Sequence, residues 1–268
     1  MFDFKPRQDY GIAVKQPWEL AVMREAGRRL AEVAVLMRDA VTPGITTLDL
    51  DRMAAERIKA LGGVSSFLGY VVDRTPYPAT ICSSVNDEVV HGIPNAKPLS
   101  EGDIVSIDIG LHFGGYHADM AFTAPVGAIS EDARRLLDAT RAALYIGIAQ
   151  AQPGARIGDI GHAIEASIRP HKLGIVRQYV GHGIGRAMHE RPSVPNYGKA
   201  KTGELIKAGM CLAIEPMITL GTWKTKTLKD DWTVVTADGS LAAHFEHTIA
   251  ITPEGPEILT VLDGVSPV

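Results

Sequence analysis

The chain has 268 residues, of which 46% are hydrophobic and 22% charged, and its formal net charge is −4. That balance is ordinary for a globular protein and removes any global electrostatic case for nucleic acid, DNA included. Two cysteines make no disulfide framework and fit a reducing, cytoplasmic setting; the opening residues lack a signal-peptide apolar run, and no stretch is apolar for long enough to predict a membrane span.

The first helical pattern covers 17–41, where Leu20, Met23, Ala26, Leu30, Val33 and Met37 recur three or four residues apart. VTPGI ends it, because Pro and Gly break helices. Thr47 is expected to cap a second helix reaching about residue 61, with Leu50, Met53, Ala54 and Ile58 on one face. ATICSSV, DIVSIDIGL and YHADMAFTAPV then read as strands. Ser130 is expected to cap a helix running to about residue 151, and Glu131 and Asp132 favour its N-terminal dipole. AQPGA breaks that helix, and another is expected over 157–168. GMCLAIEPMI, DWTVVTA and AAHFEHTIAIT read as strands again.

The second series repeats the first. Pro43-Gly44 recurs as Pro153-Gly154, and His91-Gly92-Ile93 recurs as His182-Gly183-Ile184. EGDIVSID, ending at Asp108, aligns without gaps to AGMCLAIE, ending at Glu215. Three matches in one order predict two α+β halves with a site on the pseudo-twofold between them.

An acid in a strand as apolar as IVSIDIG is costly unless something compensates it. The turn signal at Phe113-Gly114-Gly115 predicts a hairpin. A two-residue loop puts Asp108 and Asp119 on one face, opposite or diagonal to each other; a bulge or longer loop sends Asp119 to solvent instead. If the two meet, either one is protonated or a cation lies between them. Glu215, ending MCLAIE, and Glu246, in HFEHTIAI, also sit where strands are expected. Four such acids, two of them matched by the repeat, point to a shared cation site of the paired-metal kind. A nitrogen ligand would shift the preference towards transition metals, and His182, between glycines in VGHGIG, is the candidate.

Of the other histidines, His91 and His189 lie in Gly/Pro-rich loops where functional residues concentrate. His117 is an option for a neighbour of Asp119, and His247 should point to the face of its strand opposite Glu246, in a structural role. His112, His162, His171 and His244 read as surface or helix residues.

VNDEVVHGIP, SIDIG with YHAD, GHGIGRAMHERP, AIEPM and FEHT, in that order and spanning 15–258, resemble the type I methionine aminopeptidases. The resemblance implies an α+β pita-bread fold: a curved antiparallel sheet with helices on the outer face and an internal pseudo-twofold duplication. It implies a single catalytic domain over 15–268, with halves of roughly 15–126 and 127–262, after an extension at 1–14. It makes Asp108, Asp119, His182, Glu215 and Glu246 the ligands of two divalent ions, Co, Mn, Fe, Zn or Ni. Asp119 and Glu246 would bridge them, Asp108 would complete one shell, and His182 with Glu215 the other. Glu215 would shuttle a proton, and His91 and His189 would contact the substrate. Tyr77, Cys82 and Trp232, with Tyr70 as a further candidate, would line a methionine pocket.

The implied activity is removal of the N-terminal methionine from nascent polypeptides whose second residue is small, by a cytoplasmic monomer. Acting on nascent chains, it would also touch the ribosome transiently through Lys224, Lys226 and Lys229. Two features depart from the family: Met188 stands where many relatives have Phe, and GYVVDRTPYP is longer than GYxxYP, and both are expected at the pocket rim. The uninterrupted second half and the lack of a Cys-rich zinc segment fit the short bacterial-style form. The rivals are a prolidase or proline-specific aminopeptidase of the same fold, and a pita-bread binding module without catalysis. A magnesium phosphotransferase is disfavoured, since no Gly-rich phosphate loop occurs.

Overall fold

Each helix forms where an apolar stripe, a cap and a breaker agree. The computed structural model describes residues 11–262; the expected extension at 1–14 therefore falls mostly outside the described residues, as do residues 263–268. Helix α1 (Pro17–Ala40) starts with Pro in its first turn, and Glu19 reaches back to accept from the Gln16 N–H. It buries Leu20, Met23, Ala26, Leu30, Val33 and Met37. Helix α2 (Thr47–Ala60) is capped by Thr46, not Thr47: the Thr46 hydroxyl accepts from Asp49 N–H, while the Thr47 hydroxyl is taken up by the Asn95 backbone. Helix α3 (Glu131–Ala149) is capped by Ser130, and α4 covers Ile157–Ile168.

The strands are antiparallel. Ile104–Phe113 pairs along its whole length with Tyr116–Pro125, through a two-residue loop that sets Phe113 against Tyr116. Val64–Ser65 and Cys82–Val85 pair on its other edge. A five-stranded sheet in the second half runs Glu190–Val194, Gly181–Gly183, Cys211–Ile214, His247–Thr252, Gly255–Ile258. Ala242–His244, Met217–Thr219 and Gly174–Ile175 form one smaller sheet, and Thr225–Thr227, Val234–Thr236 and Glu88–Val90 another. The expected strands GMCLAIEPMI and AAHFEHTIAIT are thus each broken in two. Both breaks carry the chain between the same two sheets, and Glu215 and Glu246 sit at the breaks, not inside strands.

Helices α1 to α4 all contribute to one large core cluster, packing against Ile104, Ile107, Ile109, Leu212 and Ile249. The halves meet where Tyr116–Pro125 lies beside His247–Thr252: the Thr248 hydroxyl bridges the Asp119 N–H and C=O, and Glu246 N–H donates to Ala121 C=O. Among the described residues no helix is long and apolar enough to cross a membrane. The architecture is the helix-backed, internally repeated α+β arrangement of the pita-bread fold.

Candidate metal centre

The hairpin register decides the first expectation. Asp119 stands opposite Gly110 and Asp108 opposite Ala121, so the two acids are diagonal neighbours on one face. Asp119 is buried, and Asp108 keeps part of its surface open while its Oδ1 is enclosed. Glu215 arrives from the break after Cys211–Ile214, where Pro216 cannot continue the ladder. Asn196 fixes it there by donating from its amide to the Glu215 carbonyl at 3.0 Å. Glu246, 1% exposed, arrives from the break before His247–Thr252.

His182 is buried on its short strand. Its Nδ1 lies 2.9 Å from the Gly183 carbonyl, an acceptor only, so Nδ1 carries the proton and Nε2 is the bare nitrogen. That Nε2 lies 3.5 Å from Glu215 Oε1 and 3.9 Å from Asp119 Oδ2, too far to hydrogen-bond.

His244 corrects the sequence reading. It is no surface residue: it is 2% exposed, with Nε2 3.6 Å from Glu215 Oε2 and 3.9 Å from Glu246 Oε2. The signal that could have found it was the strand period of two, which puts residues 244 and 246 on one face.

Two sets of ligand atoms therefore converge, Asp119 with His182 and Glu246, and Glu215 with His244 and Glu246, each within 4.8 Å. Enclosed Asp108 Oδ1, Asp119 Oδ1, Glu246 Oε1 and His244 Nε2 have no hydrogen-bond partner. Protein groups this buried are normally satisfied. Burial pushes Asp108 and Glu215 each up to about 7, and burial with mutual repulsion pushes Asp119 and Glu246 well above the usual carboxylate range. A divalent cation relieves both the repulsion and the missing partners, so this donor set fits a metal.

Tyr77, Ala79, Cys82 and Trp232 form a buried cluster with Phe67, Tyr70, Val72 and Ile93 against it. Cys82 stands opposite Asp108 in the sheet, which sets this wall beside the carboxylates. The Tyr77 hydroxyl lies 2.8 Å from the Gly92 carbonyl and 3.1 Å from that of Ile81, and its ring stands edge-on to Trp232. The longer 69–78 segment is a small hairpin, Val71–Val72 with Thr75–Pro76, and Tyr70 and Tyr77 are hydrogen-bonded to each other through their backbones at its base.

His91 has φ 61, in the left-handed region, and its ring stands edge-on to Tyr179 and Trp232. Desolvation and the neighbouring His244 push it down to about 4. His189 has its ring 4.4 Å from that of His182, and its Nδ1 is 2.7 Å from the Tyr70 hydroxyl.

His117 is not bonded to Asp119: its Nδ1 meets the Ser66 hydroxyl at 2.8 Å. His247 takes the expected structural role, between Tyr145 and Thr260. His112 rests on the His117 ring, and His162 and His171 are exposed. Met188 is buried with Leu20, Met23, Tyr116 and Ile184, a cluster against which Phe67 and Tyr70 of the pocket wall also pack. Lys224, Lys226 and Lys229 are exposed around the Thr225–Thr227 hairpin strand, whose partner strand pairs with Glu88–Val90 just before His91.

The sequence profile of metallopeptidase family M24 matches residues 21–253. Methionine aminopeptidase 1 of Bacillus subtilis (strain 168) is 49% identical over 249 residues, 93% of this chain and 99% of that protein. The crystal structure of methionine aminopeptidase from Rickettsia prowazekii is 40% identical with a TM-score of 0.91, covering 94% of this chain and 100% of that one. A prolidase from Pyrococcus furiosus is 19% identical with a TM-score of 0.72, covering 93% of this chain and 66% of the prolidase, a likeness of fold alone.

Proposed function

The chain belongs to metallopeptidase family M24, and from that premise we infer an aminopeptidase that removes the N-terminal methionine of polypeptide chains. The observation that carries this reading is the convergence of Asp119, Glu215 and Glu246 with the His182 and His244 imidazoles, among which Asp119 Oδ1, Glu246 Oε1 and His244 Nε2, like the nearby Asp108 Oδ1, are enclosed without a hydrogen-bond partner.

We propose that Asp108, Asp119, His182, Glu215 and Glu246 would hold two divalent ions. When bound, such ions supply Lewis acidity and a hydroxide nucleophile near neutral pH. Glu215 takes up the proton released in the attack and passes it to the leaving amine. His91 and His189 hydrogen-bond the scissile amide and its developing oxyanion. A Tyr70 hydroxyl donating to His189 Nδ1 keeps the ring proton on Nε2, which makes that nitrogen a donor. Tyr77, Cys82 and Trp232 enclose the methionine side chain in an apolar wall. The nitrogen ligand favours Co, Mn, Fe, Zn or Ni over Mg or Ca.

The substrate is a nascent chain with a small second residue, met in the cytoplasm by a monomer whose one catalytic domain covers 15–268. Lys224, Lys226 and Lys229 make a salt-dependent contact with ribosomal RNA phosphates. Replacing all three with Glu should weaken co-sedimentation with ribosomes and leave hydrolysis of Met-Ala-Ser unchanged; undiminished co-sedimentation at low salt would return the loop to plain solvent exposure. The decisive assay is hydrolysis of Met-Ala-Ser and of an Xaa-Pro peptide, with and without chelator. Methionine should be released only from the first peptide and only with metal. Full activity in a metal-free sample would sink the metallopeptidase reading, and preference for the Xaa-Pro peptide would favour the prolidase alternative.

A further inference from the structure

The hairpin at 69–78 has one face turned to the site and one turned to solvent. It stands on two tyrosines: Tyr77 N–H donates to the Tyr70 carbonyl at 2.7 Å, and Gly69 N–H to the Tyr77 carbonyl at 2.9 Å. Val71 then pairs with Pro76, and Val72 with Thr75. Side chains alternate along a strand, so Tyr70, Val72, Thr75 and Tyr77 share one face, and Val71 and Pro76 the other. The exposures follow that division. Val71, 60% exposed, and Pro76 are open, whereas Val72 and Thr75 are half-buried and Tyr77 is buried.

Tyr70 identifies the inner face. Its ring stands edge-on to that of His189 at 5.3 Å, and the His189 ring lies 4.4 Å from that of His182. Val72 is on this face and packs against the cluster of Tyr77, Ala79, Cys82 and Trp232, the apolar wall assigned to the methionine side chain. Unlike those four it is only half-buried, so part of its surface stays open. The turn beyond it is Asp73-Arg74, with φ 47 and 74. Both values lie in the left-handed region that such two-residue loops require and that Gly or Asn usually fills. A two-stranded hairpin is marginal by itself in water, and this one has no glycine to ease its turn. The contact of Val72 with the wall, together with the two bonds at the base, holds it.

We propose that Val72 is a specificity-determining residue: its side chain extends the methionine wall beyond the two tyrosines and limits the length of the N-terminal side chain that the pocket accepts. The proposal rests on the reading that a methionine side chain lies against that wall. One methylene more or less in a hydrophobic pocket typically changes kcat/KM by about 10–200-fold. Val72→Ala, which removes the branched end of the side chain, should therefore admit a longer residue. Val72→Phe should disfavour methionine against a shorter one.

The test is kcat/KM of the metal-loaded protein on tripeptides Xaa-Ala-Ser, where Xaa is norvaline, methionine or ethionine, the last one methylene longer than methionine. Val72→Ala should raise the ethionine-to-methionine ratio by roughly 10-fold or more, and Val72→Phe should raise the norvaline-to-methionine ratio by a similar factor. Val71→Ala, on the outer face of the same strand, should move neither ratio. Each ratio is taken on one preparation, so an unfolded fraction cancels, and metal content should be the same in every variant. Ratios in Val72→Ala equal to those of the unsubstituted protein overturn the proposal and leave the hairpin an outer cover, with methionine specificity intact. Ratios moved as far by Val71→Ala overturn it as well, because the effect then belongs to the hairpin as a whole. Failure of the unsubstituted protein to release methionine from Met-Ala-Ser overturns the methionine reading and the proposal together.

Discussion

The two halves share a frame and differ in what they hang on it. Gly44 N–H donates to Leu99 C=O at 2.8 Å, and its counterpart Gly154 donates to Ile206 C=O at 2.9 Å, with φ 94 and 87. Gly102 donates to Val126 C=O at 2.9 Å, and Gly209 to Ile251 C=O at 2.8 Å, with φ 96 and 90. These bonds need only a glycine in the left-handed region and a neighbouring carbonyl. The acids are held differently. Asp108 stands within an unbroken ladder, whereas Glu215 projects from a strand end at Pro216. The matched histidines diverge too. His182 is on a strand with its tautomer fixed, and His91 is in a strained turn against aromatic rings. Repetition built the scaffold; the candidate chemistry lies where the repeats no longer agree.

If so, breaking a carboxylate at the seam should cost far more function than breaking the frame. Asp119→Asn removes charge from the residue nearest the junction of the halves but leaves its backbone bonds to Thr248 in place. Loss of an outer-shell neighbour typically costs about 10–100-fold in activity or metal affinity, so loss of a direct ligand should exceed roughly 100-fold. Activity on Met-Ala-Ser and metal content should both collapse while the circular dichroism spectrum is retained. Metal content unchanged in that variant would remove Asp119 from the ligand set. Next in size, His189→Ala should lower turnover by roughly 100-fold with metal content unchanged, as for one lost transition-state donor. Tyr70→Phe should reproduce part of that loss through the tautomer alone. Parallel loss of metal would move His189 into the ligand set.

The frame was legible in the sequence because it rests on local signals. The Pro-Gly breaks, the helical stripes and the two-residue loop all act within a few residues, and α4 matches its expected span of 157–168. The register then followed: with that loop, Asp108 and Asp119 had to share a face. The strand breaks were half legible. Pro216 announces the first, but nothing in HFEHT announces the second, which is set by Glu246 N–H reaching across to Ala121. His244 was missed because a histidine beside apolar residues carries no local mark of burial. Only its pairing with Glu246 at a spacing of two, combined with the partner sheet, puts it in the site.

Glycine substitutions sharpen the comparison in stability. Gly44→Ala and Gly154→Ala meet no atom within 4 Å, so each should cost only the left-handed backbone penalty, about 1–2 kcal/mol, and the two should agree. Gly102→Ala and Gly209→Ala should not agree. A Cβ on Gly102 finds nothing nearer than 3.9 Å, whereas one on Gly209 would lie 2.6 Å from Val14 Cγ1 and 2.8 Å from the Lys15 carbonyl. Only the second half receives the incoming segment there, where Lys15 N–H donates to Gly209 C=O at 2.7 Å. Denaturant midpoints should fall further for Gly209→Ala; equal losses would mean that the segment at 14–15 yields freely.

The smallest expected effect separates the corresponding helices α1 and α3. On α3 the ion pairs are single i,i+3 contacts, Asp132 with Arg135 and Asp138 with Arg141. On α1, Glu25 accepts from Arg28 and from Arg29, the latter at 2.7 Å, and Arg29 also lies over the Phe113 ring and donates to the Leu61 carbonyl beyond α2. Glu25 therefore orients a side chain that ties α1 to the end of α2 and to the hairpin. The hydrogen bonds from Arg28 lead in drawing its carboxyl down to about 2, from an ordinary value of 4.5. The folded pKa is the lower one, so the stabilisation is fully present above the unfolded value and is lost as pH falls through the folded one. Because the Glu25 side chain is 37% exposed, solvent screening keeps its worth below about 1 kcal/mol. Glu25→Gln should lower unfolding stability slightly at pH 7, by an amount that shrinks as the pH drops below 4.5 towards 2. Asp138→Asn on α3 should change less still. Unfolding both variants in urea at pH 7, 5 and about 3.5 checks the sign. A Glu25→Gln deficit that stays constant across that range would assign it to lost packing rather than charge, and would erase this last distinction between the helices.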